Sequence, residues 1–222
     1  LIKEKRMAVD FPDVTDSLKN PNGLLAIGAA LTEKRLLCAY KKGIFPWFNE
    51  GQPVLWWSPD PRCVIKPNEV HISHSLRKIL RKKKFEITYN QDFKSVINEC
   101  SMNRNNNDTW LTDSMKIAYT HLHNSGYAHS IECWHNEKLI GGLYGIAMGK
   151  IFFGESMFSR ESSASKITLI HLARRLNDMK FKIIDCQVSS NHLLTLGAKH
   201  IARKEFIKIL NDYCDYSKTT LI

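Results

Sequence analysis

The chain has 222 residues, 43% of them hydrophobic, with a formal net charge of +10 and a pI near 9.3. That is enough apolar content to bury a core in one large domain, or in a large and a small one. No stretch is long and apolar enough for a membrane span, and the start, Leu1-Ile-Lys-Glu-Lys-Arg, lacks the apolar core of a signal peptide. Six scattered cysteines (Cys38, Cys63, Cys100, Cys133, Cys186 and Cys214) form no Cys-x-x-Cys pair, which points to reduced thiols in the cytoplasm. His71 with His74, and His121 with His123, lack nearby carboxylate or cysteine ligands, so no metal site is expected.

In chain order, Pro21-Asn-Gly23 reads as a turn, and Thr32 caps a short helix carrying Leu36, Leu37 and Tyr40 that ends at Gly43. The aromatic segments Phe45-Pro-Trp-Phe48 and Val54-Leu-Trp-Trp57 follow, then the rigid Ser58-Pro-Asp-Pro61. Residues 1–62 are therefore expected to form a small N-terminal lobe, and 63–222 the main domain. Ser73 caps a basic helix, Phe85 to Tyr89 is a strand, and Asp92 to Met102 a helix. A polar loop from Asn103 to Asp108 leads to a helix from about Thr112 to Asn124. Ser130 to Trp134, Leu139 to Ala147 and Ile151 to Gly154 read as an antiparallel meander. A helix capped by Ser162 or Ser163 crosses to a strand containing Asp185, and helices near 191–196 and 203–213 close the chain. The plan is α+β with a mixed sheet, as in N-acyltransferase architectures.

Two features carry chemistry. Between His71 and Lys84 lie Arg77, Lys78, Arg81, Lys82, Lys83 and Lys84 without an acid, above an apolar stripe of Leu76, Ile79 and Leu80. His74, Lys78 and Arg81 share one helical face. A solvated amphipathic face is the plain alternative, but the uncompensated charge favours phosphate binding. The second feature is Phe181-Lys-Ile-Ile-Asp-Cys-Gln-Val, an apolar strand pattern interrupted by Asp185 and Gln187, which alternation places on one face. A carboxylate there needs a partner or a function.

Several stretches in order resemble the leucyl/phenylalanyl-tRNA–protein transferase family. They are Pro21-Asn-Gly-Leu-Leu25, Gly43-Ile-Phe-Pro-Trp-Phe48, Leu55-Trp-Trp-Ser-Pro-Asp-Pro-Arg62, His71-Ile-Ser73, Thr109-Trp110, Gly141-Gly-Leu-Tyr-Gly145, Gly154-Glu-Ser-Met-Phe-Ser-Arg160 and Ile184-Asp-Cys-Gln-Val188. The resemblance implies transfer of Leu, and also Phe or Met, from aminoacyl-tRNA to proteins beginning with Arg or Lys, which marks them for degradation. It implies an acetyltransferase-like larger domain, and a reaction without cofactor, metal or membrane.

Carried over, the resemblance makes Asp185 and Gln187 the catalytic pair, with Glu155 beside them. Trp47 and Trp110 fall where the terminal adenosine is held, since indole stacks well on a base. The aminoacyl side-chain pocket falls on Leu143, Leu169, Leu172 and Ile184, and the tRNA contacts on His74, Lys78 and Arg81. Trp56, Trp57 and Trp134 are read as core. Gly28-Ala-Ala30 stands where the family often has Gly-Gly-Asp, His74 where it has arginine, and Leu172 where it has an aromatic.

The implied chemistry is attack of an α-amine on an activated ester, and Asp185 is expected either to orient the Gln187 side-chain amide or to act directly as base. An acetyl-CoA-dependent acetyltransferase is the first rival. Its pyrophosphate loop needs glycines at a helix start, and Ser159-Arg-Glu-Ser-Ser-Ala-Ser-Lys166 has none. A non-catalytic tRNA-binding protein is the second, opposed by the intact Asp185-Cys-Gln187 set.

Overall fold

Hydroxyl and carboxylate caps set most helix starts. Thr32 Oγ1 accepts from Arg35 N at 3.3 Å, Ser73 Oγ from Leu76 N at 3.3 Å, Asp92 Oδ1 from Ser95 N at 3.0 Å and Thr112 Oγ1 from Met115 N at 3.3 Å. Ser163 departs from this. It stands at the cap position with φ +70° and makes no side-chain cap bond, and Ser159 Oγ takes the Ser165 N–H at 3.3 Å instead.

The computed structural model describes residues 10–102, 111–219 and 221. Its elements are β1 (Leu24–Ile27), α1 (Glu33–Lys41), β2 (Phe45–Pro46), β3 (Leu55–Trp57), β4 (Arg62–Ile65), α2 (His74–Arg81), β5 (Glu86–Tyr89), α3 (Phe93–Met102) and α4 (Asp113–Asn124). The chain continues through β6 (Ala128–His135), β7 (Lys138–Met148), β8 (Ile151–Ser159), α5 (Ala164–Asp178), β9 (Ile183–Gln187), α6 (Asn191–Thr195), β10 (Lys199–Ile201) and α7 (Arg203–Tyr213). The fold is α+β. A three-stranded sheet, β1-β3-β2, lies apart from a seven-stranded sheet in the order β10-β4-β9-β8-β7-β6-β5. The large sheet is mixed, because β8 and β9 run parallel across the α5 crossover while its other described pairs are antiparallel.

Short strands escaped the sequence reading. β4 begins at Arg62, where a boundary was expected, and pairs with β9 one strand in from the edge of the large sheet. β10 covers its edge. β8 runs on past Gly154 to Ser159, carrying Glu155 inside a strand. The small sheet occupies residues 24–57, yet Leu36, Tyr40 and Trp56 pack in one apolar cluster with Tyr119, Tyr144 and Phe153 of the later elements. Ala29 adopts φ +72° where the resemblance has a glycine, so a Cβ occupies a left-handed turn that disfavours it.

Two irregularities in the large sheet prepare the site. Tyr144 pairs with Ser156 and Gly145 with Gly154, so Glu155 is the extra residue of a bulge. Gly145 permits it: a Cβ there would lie 2.2 Å from the Phe153 carbonyl oxygen. On the other side, Val64 pairs with Asp185 and Cys63 with Gln187, which makes Cys186 a second bulge residue. β8 and β9 pair from Ile151–Ile183 to Phe153–Asp185 and no further.

Candidate active site

Where β8 and β9 part, their next residues wall a cavity of about 330 Å³. Glu155, Ser156 and Met157 come from β8, and Cys186, Gln187 and Val188 from the end of β9 and beyond. Leu143, Leu169, Leu172 and Ile184 close the apolar side, and Phe45, Pro46 and Trp47 approach from the small sheet. The four leucine and isoleucine side chains assigned from sequence thus surround one space. Each is at most 3% exposed, packed in one cluster by α5 against β7 and β9.

Glu155 is the polar focus of this cavity. Its Oε1 accepts from Tyr40 Oη at 2.8 Å and from Gln187 Nε2 at 3.0 Å, and its Oε2 from Tyr119 Oη at 2.7 Å. The two phenols meet at 2.5 Å. Burial pushes the Glu155 pKa up to about 7, the hydrogen bonds from Tyr119, Tyr40 and Gln187 oppose that rise, and the Asp185 charge adds to it. Burial likewise holds Tyr40, Tyr119 and Tyr144 well above the ordinary phenol range, reinforced by the Glu155 charge. Among the described residues the buried Tyr144 hydroxyl has no hydrogen-bond partner.

Asp185 is placed differently from the expectation. It is fully buried behind the cavity wall, and its carboxylate forms a bidentate pair with Arg62: Nε to Oδ1 at 2.8 Å and Nη2 to Oδ2 at 2.7 Å. Arg62 is itself fully buried, sandwiched over the Phe45 and Phe206 rings at 4.8 and 4.6 Å, and its Nη1 donates to the Gly43 carbonyl at 3.2 Å. What Asp185 contacts in Gln187 is the backbone N–H, which donates to Oδ1 at 2.9 Å. The Gln187 side-chain amide points to Glu155 instead. The strand alternation behind the earlier reading fails because Cys186 is bulged and Gln187 takes φ +62°, a left-handed conformation held by that Asp185 bond.

Trp47 is 42% exposed at the cavity mouth. Its carbonyl accepts from Trp57 Nε1 at 2.7 Å and the two rings lie 5.8 Å apart, so the half-buried Trp57 packs against the core and also supports Trp47. Trp110 lies outside the described residues. His74, Lys78 and Arg81 are exposed along α2, which Leu76 anchors to the cluster containing Leu143 and Leu169, and among the described residues none of the three forms an ion pair. Sequence reasoning missed Arg62, Tyr40 and Tyr119. A fully buried carboxylate on an apolar strand was the signal that an arginine had to meet it.

Among the described residues no three His, Cys, Asp or Glu side chains gather as metal ligands, and no helix is long and apolar enough to cross a membrane. The site defines a class: an apolar side-chain cavity ending in a carboxylate–carboxamide pair, in a chain that also exposes a basic helix. The family model described as leucyl/phenylalanyl-tRNA protein transferase matches residues 64–211, and that of its N-terminal domain matches residues 29–60. A leucyl/phenylalanyl-tRNA–protein transferase of Pseudomonas aeruginosa PAO1 is 52% identical over 215 residues, covering 96% of this chain and 95% of that one. One from Cellvibrio japonicus is 53% identical over 204 residues, covering 91% and 87%. The chain belongs to the leucyl/phenylalanyl-tRNA–protein transferase family.

Proposed function

We propose that the protein transfers Leu, and also Phe or Met, from aminoacyl-tRNA to the α-amine of proteins beginning with Arg or Lys, marking them for degradation in the cytoplasm. The observation that carries this reading is the cavity, in which four aliphatic side chains lead to the Glu155–Gln187 pair. An apolar aminoacyl side chain fits the first part, and the ester carbonyl then lies toward the second. Residues 63–222 act as an acyltransferase-like domain and residues 1–62 as a small domain contributing Trp47.

An amide is more stable than the ester it replaces, so the reaction needs placement and a proton acceptor. A free α-amine titrates at about 7.7–8.0, so a useful fraction is neutral at physiological pH. With Nε2 given to Glu155, the Gln187 carbonyl oxygen is left to receive the attacking amine's N–H. Asp185 is a positioning residue: held by Arg62, it sets the Gln187 backbone through its N–H. Glu155 fixes the carboxamide and supplies negative charge where a cationic N-terminal residue docks. Trp47 and Trp110 stack on the terminal adenosine, and His74, Lys78 and Arg81 meet acceptor-stem phosphates.

The test is incubation with labelled Leu-tRNA and peptides beginning with Arg, Lys, Glu or Ala, with acetyl-CoA as a rival donor. Transfer to the Arg and Lys peptides alone is the expected result. Transfer from acetyl-CoA, or none from Leu-tRNA, overturns the reading.

A further inference from the structure

Cys63 and Cys186 are two thiols that the proposed reaction does not use. β4 and β9 run antiparallel with Cys63 opposite Gln187 and Val64 opposite Asp185, so the bulged Cys186 and Gln187 together face Cys63. The opposed pair Cys63–Gln187 lies about 4.5–5.5 Å apart at Cα, and Cys186, the adjacent residue of the bulge, shares that approach to Cys63, near the span a disulfide tolerates. Both sulfurs are on one side of the sheet. Cys63 belongs to the apolar cluster of Leu143, Leu169 and Ile184, and Cys186 packs against it. Cys63 is fully buried, whereas Cys186 is half-buried and lines the cavity.

We propose that Cys63 and Cys186 form an oxidation site, at which peroxide entering through the cavity joins the two thiols in a reversible disulfide that disables the pocket. The Cys186 sulfur attacks one peroxide oxygen, the O–O bond breaks, and the departing hydroxide leaves as water with the thiol proton. The Cys63 sulfur then displaces the sulfenic oxygen of Cys186 as a second water. Two thiols and one hydrogen peroxide give one disulfide and two waters, so the thiols lose the two electrons the peroxide gains. The interaction between the pair lowers the Cys63 pKa and raises that of Cys186, so attack on peroxide at the accessible Cys186 sulfur is the slow step and Cys63 is the readier thiolate for the second. Closing the bond ties Cys186 to β4, and Cys186 lies between the residue that pairs with Arg62 and the residue that holds Glu155. A small displacement of Gln187 is enough to impair the site.

The test treats the whole reduced protein with hydrogen peroxide, blocks remaining thiols, and reads cysteine pairing by peptide mass spectrometry beside Leu-tRNA transfer. The expected result is a Cys63–Cys186 disulfide, with Cys38, Cys100, Cys133 and Cys214 still in the thiol state. Transfer then drops by about tenfold or more and returns with dithiothreitol. Cys63→Ala, which removes a thiol outside the cavity wall, should retain transfer and lose the dithiothreitol-reversible inhibition. Free Cys63 and Cys186 thiols after inactivation, or the same reversible loss in Cys63→Ala, overturn the proposal. The proposal's functional part rests on the transfer reading above, but the mass readout does not, so a failed disulfide and a failed activity are told apart.

Discussion

Gln187 and Glu155 meet at 3.0 Å, carboxamide Nε2 to carboxylate Oε1, across two parallel strands that have already stopped pairing. The bulge at Glu155 and the left-handed backbone at Gln187 bring both groups into the opening. Asp185 takes no part in that contact. It accepts the Gln187 backbone N–H from the buried side, and is itself held there by Arg62 of β4.

That arrangement separates stability from chemistry. Asp185→Asn leaves the Arg62 guanidinium buried against a neutral partner, and breaking a buried pair costs about 3–5 kcal/mol. We predict a large fall in the denaturation midpoint for Asp185→Asn and for Arg62→Met, measured by chemical unfolding. The double variant Arg62→Met/Asp185→Leu should recover much of that stability while transfer stays low. Unchanged stability in both single variants contradicts the anchoring role.

Glu155 gives a pH dependence with a definite sign. Its pKa rises from 4.5 to about 7 on folding, so the native state binds the extra proton between those values. Stability therefore falls as pH rises from about 4.5 to 7, by up to about 3 kcal/mol, and Glu155→Gln should flatten the fall. In kinetics, the preference for an Arg over an Ala acceptor should grow through pH 7 in the wild type and not in Glu155→Gln. Comparing the two enzymes removes the titration of the amine itself.

The basic helix is tested by salt. Lys78→Glu with Arg81→Glu should weaken aminoacyl-tRNA binding and flatten its dependence on salt, because fewer counterions are released. An aminoacyl-adenosine fragment, which lacks those phosphates, should bind nearly as before. Equal losses for fragment and tRNA would assign the helix to the fold alone.

Leu172 faces the cavity where the resemblance has an aromatic, which leaves room for a larger aminoacyl side chain. Phenylalanyl transfer should therefore lie closer to leucyl transfer than is usual for the family, since a methylene is worth only about 1–3 kcal/mol in such a pocket. Leu172→Phe should shift the ratio of the two kcat/KM values towards Leu. The opposite shift would place Leu172 outside the aminoacyl site.

Periodic features were legible in the sequence. The α2 stripe with its Ser73 cap, the β6–β8 meander and the α5 crossover follow from apolar spacing and turn residues. β4 was not legible, because four residues after Pro61 carry no repeat and their strand character comes from neighbours distant in sequence. The cavity lining came from the resemblance. The roles within the site depended on two bulges and one left-handed residue, and a pattern of period two cannot register an inserted residue. Alternation therefore aimed Gln187 at Asp185 when its side chain turns to Glu155.

In the proposed reaction the Gln187 carboxamide, held by Glu155, accepts the hydrogen bond of the attacking amine. Single-turnover transfer from Leu-tRNA to an Arg-initiated peptide tests it most directly, in Gln187→Ala at saturating tRNA. The expected result is a loss of about a hundredfold in rate with tRNA affinity and folding stability unchanged. A rate within about twofold of wild type would remove Gln187 from the chemistry.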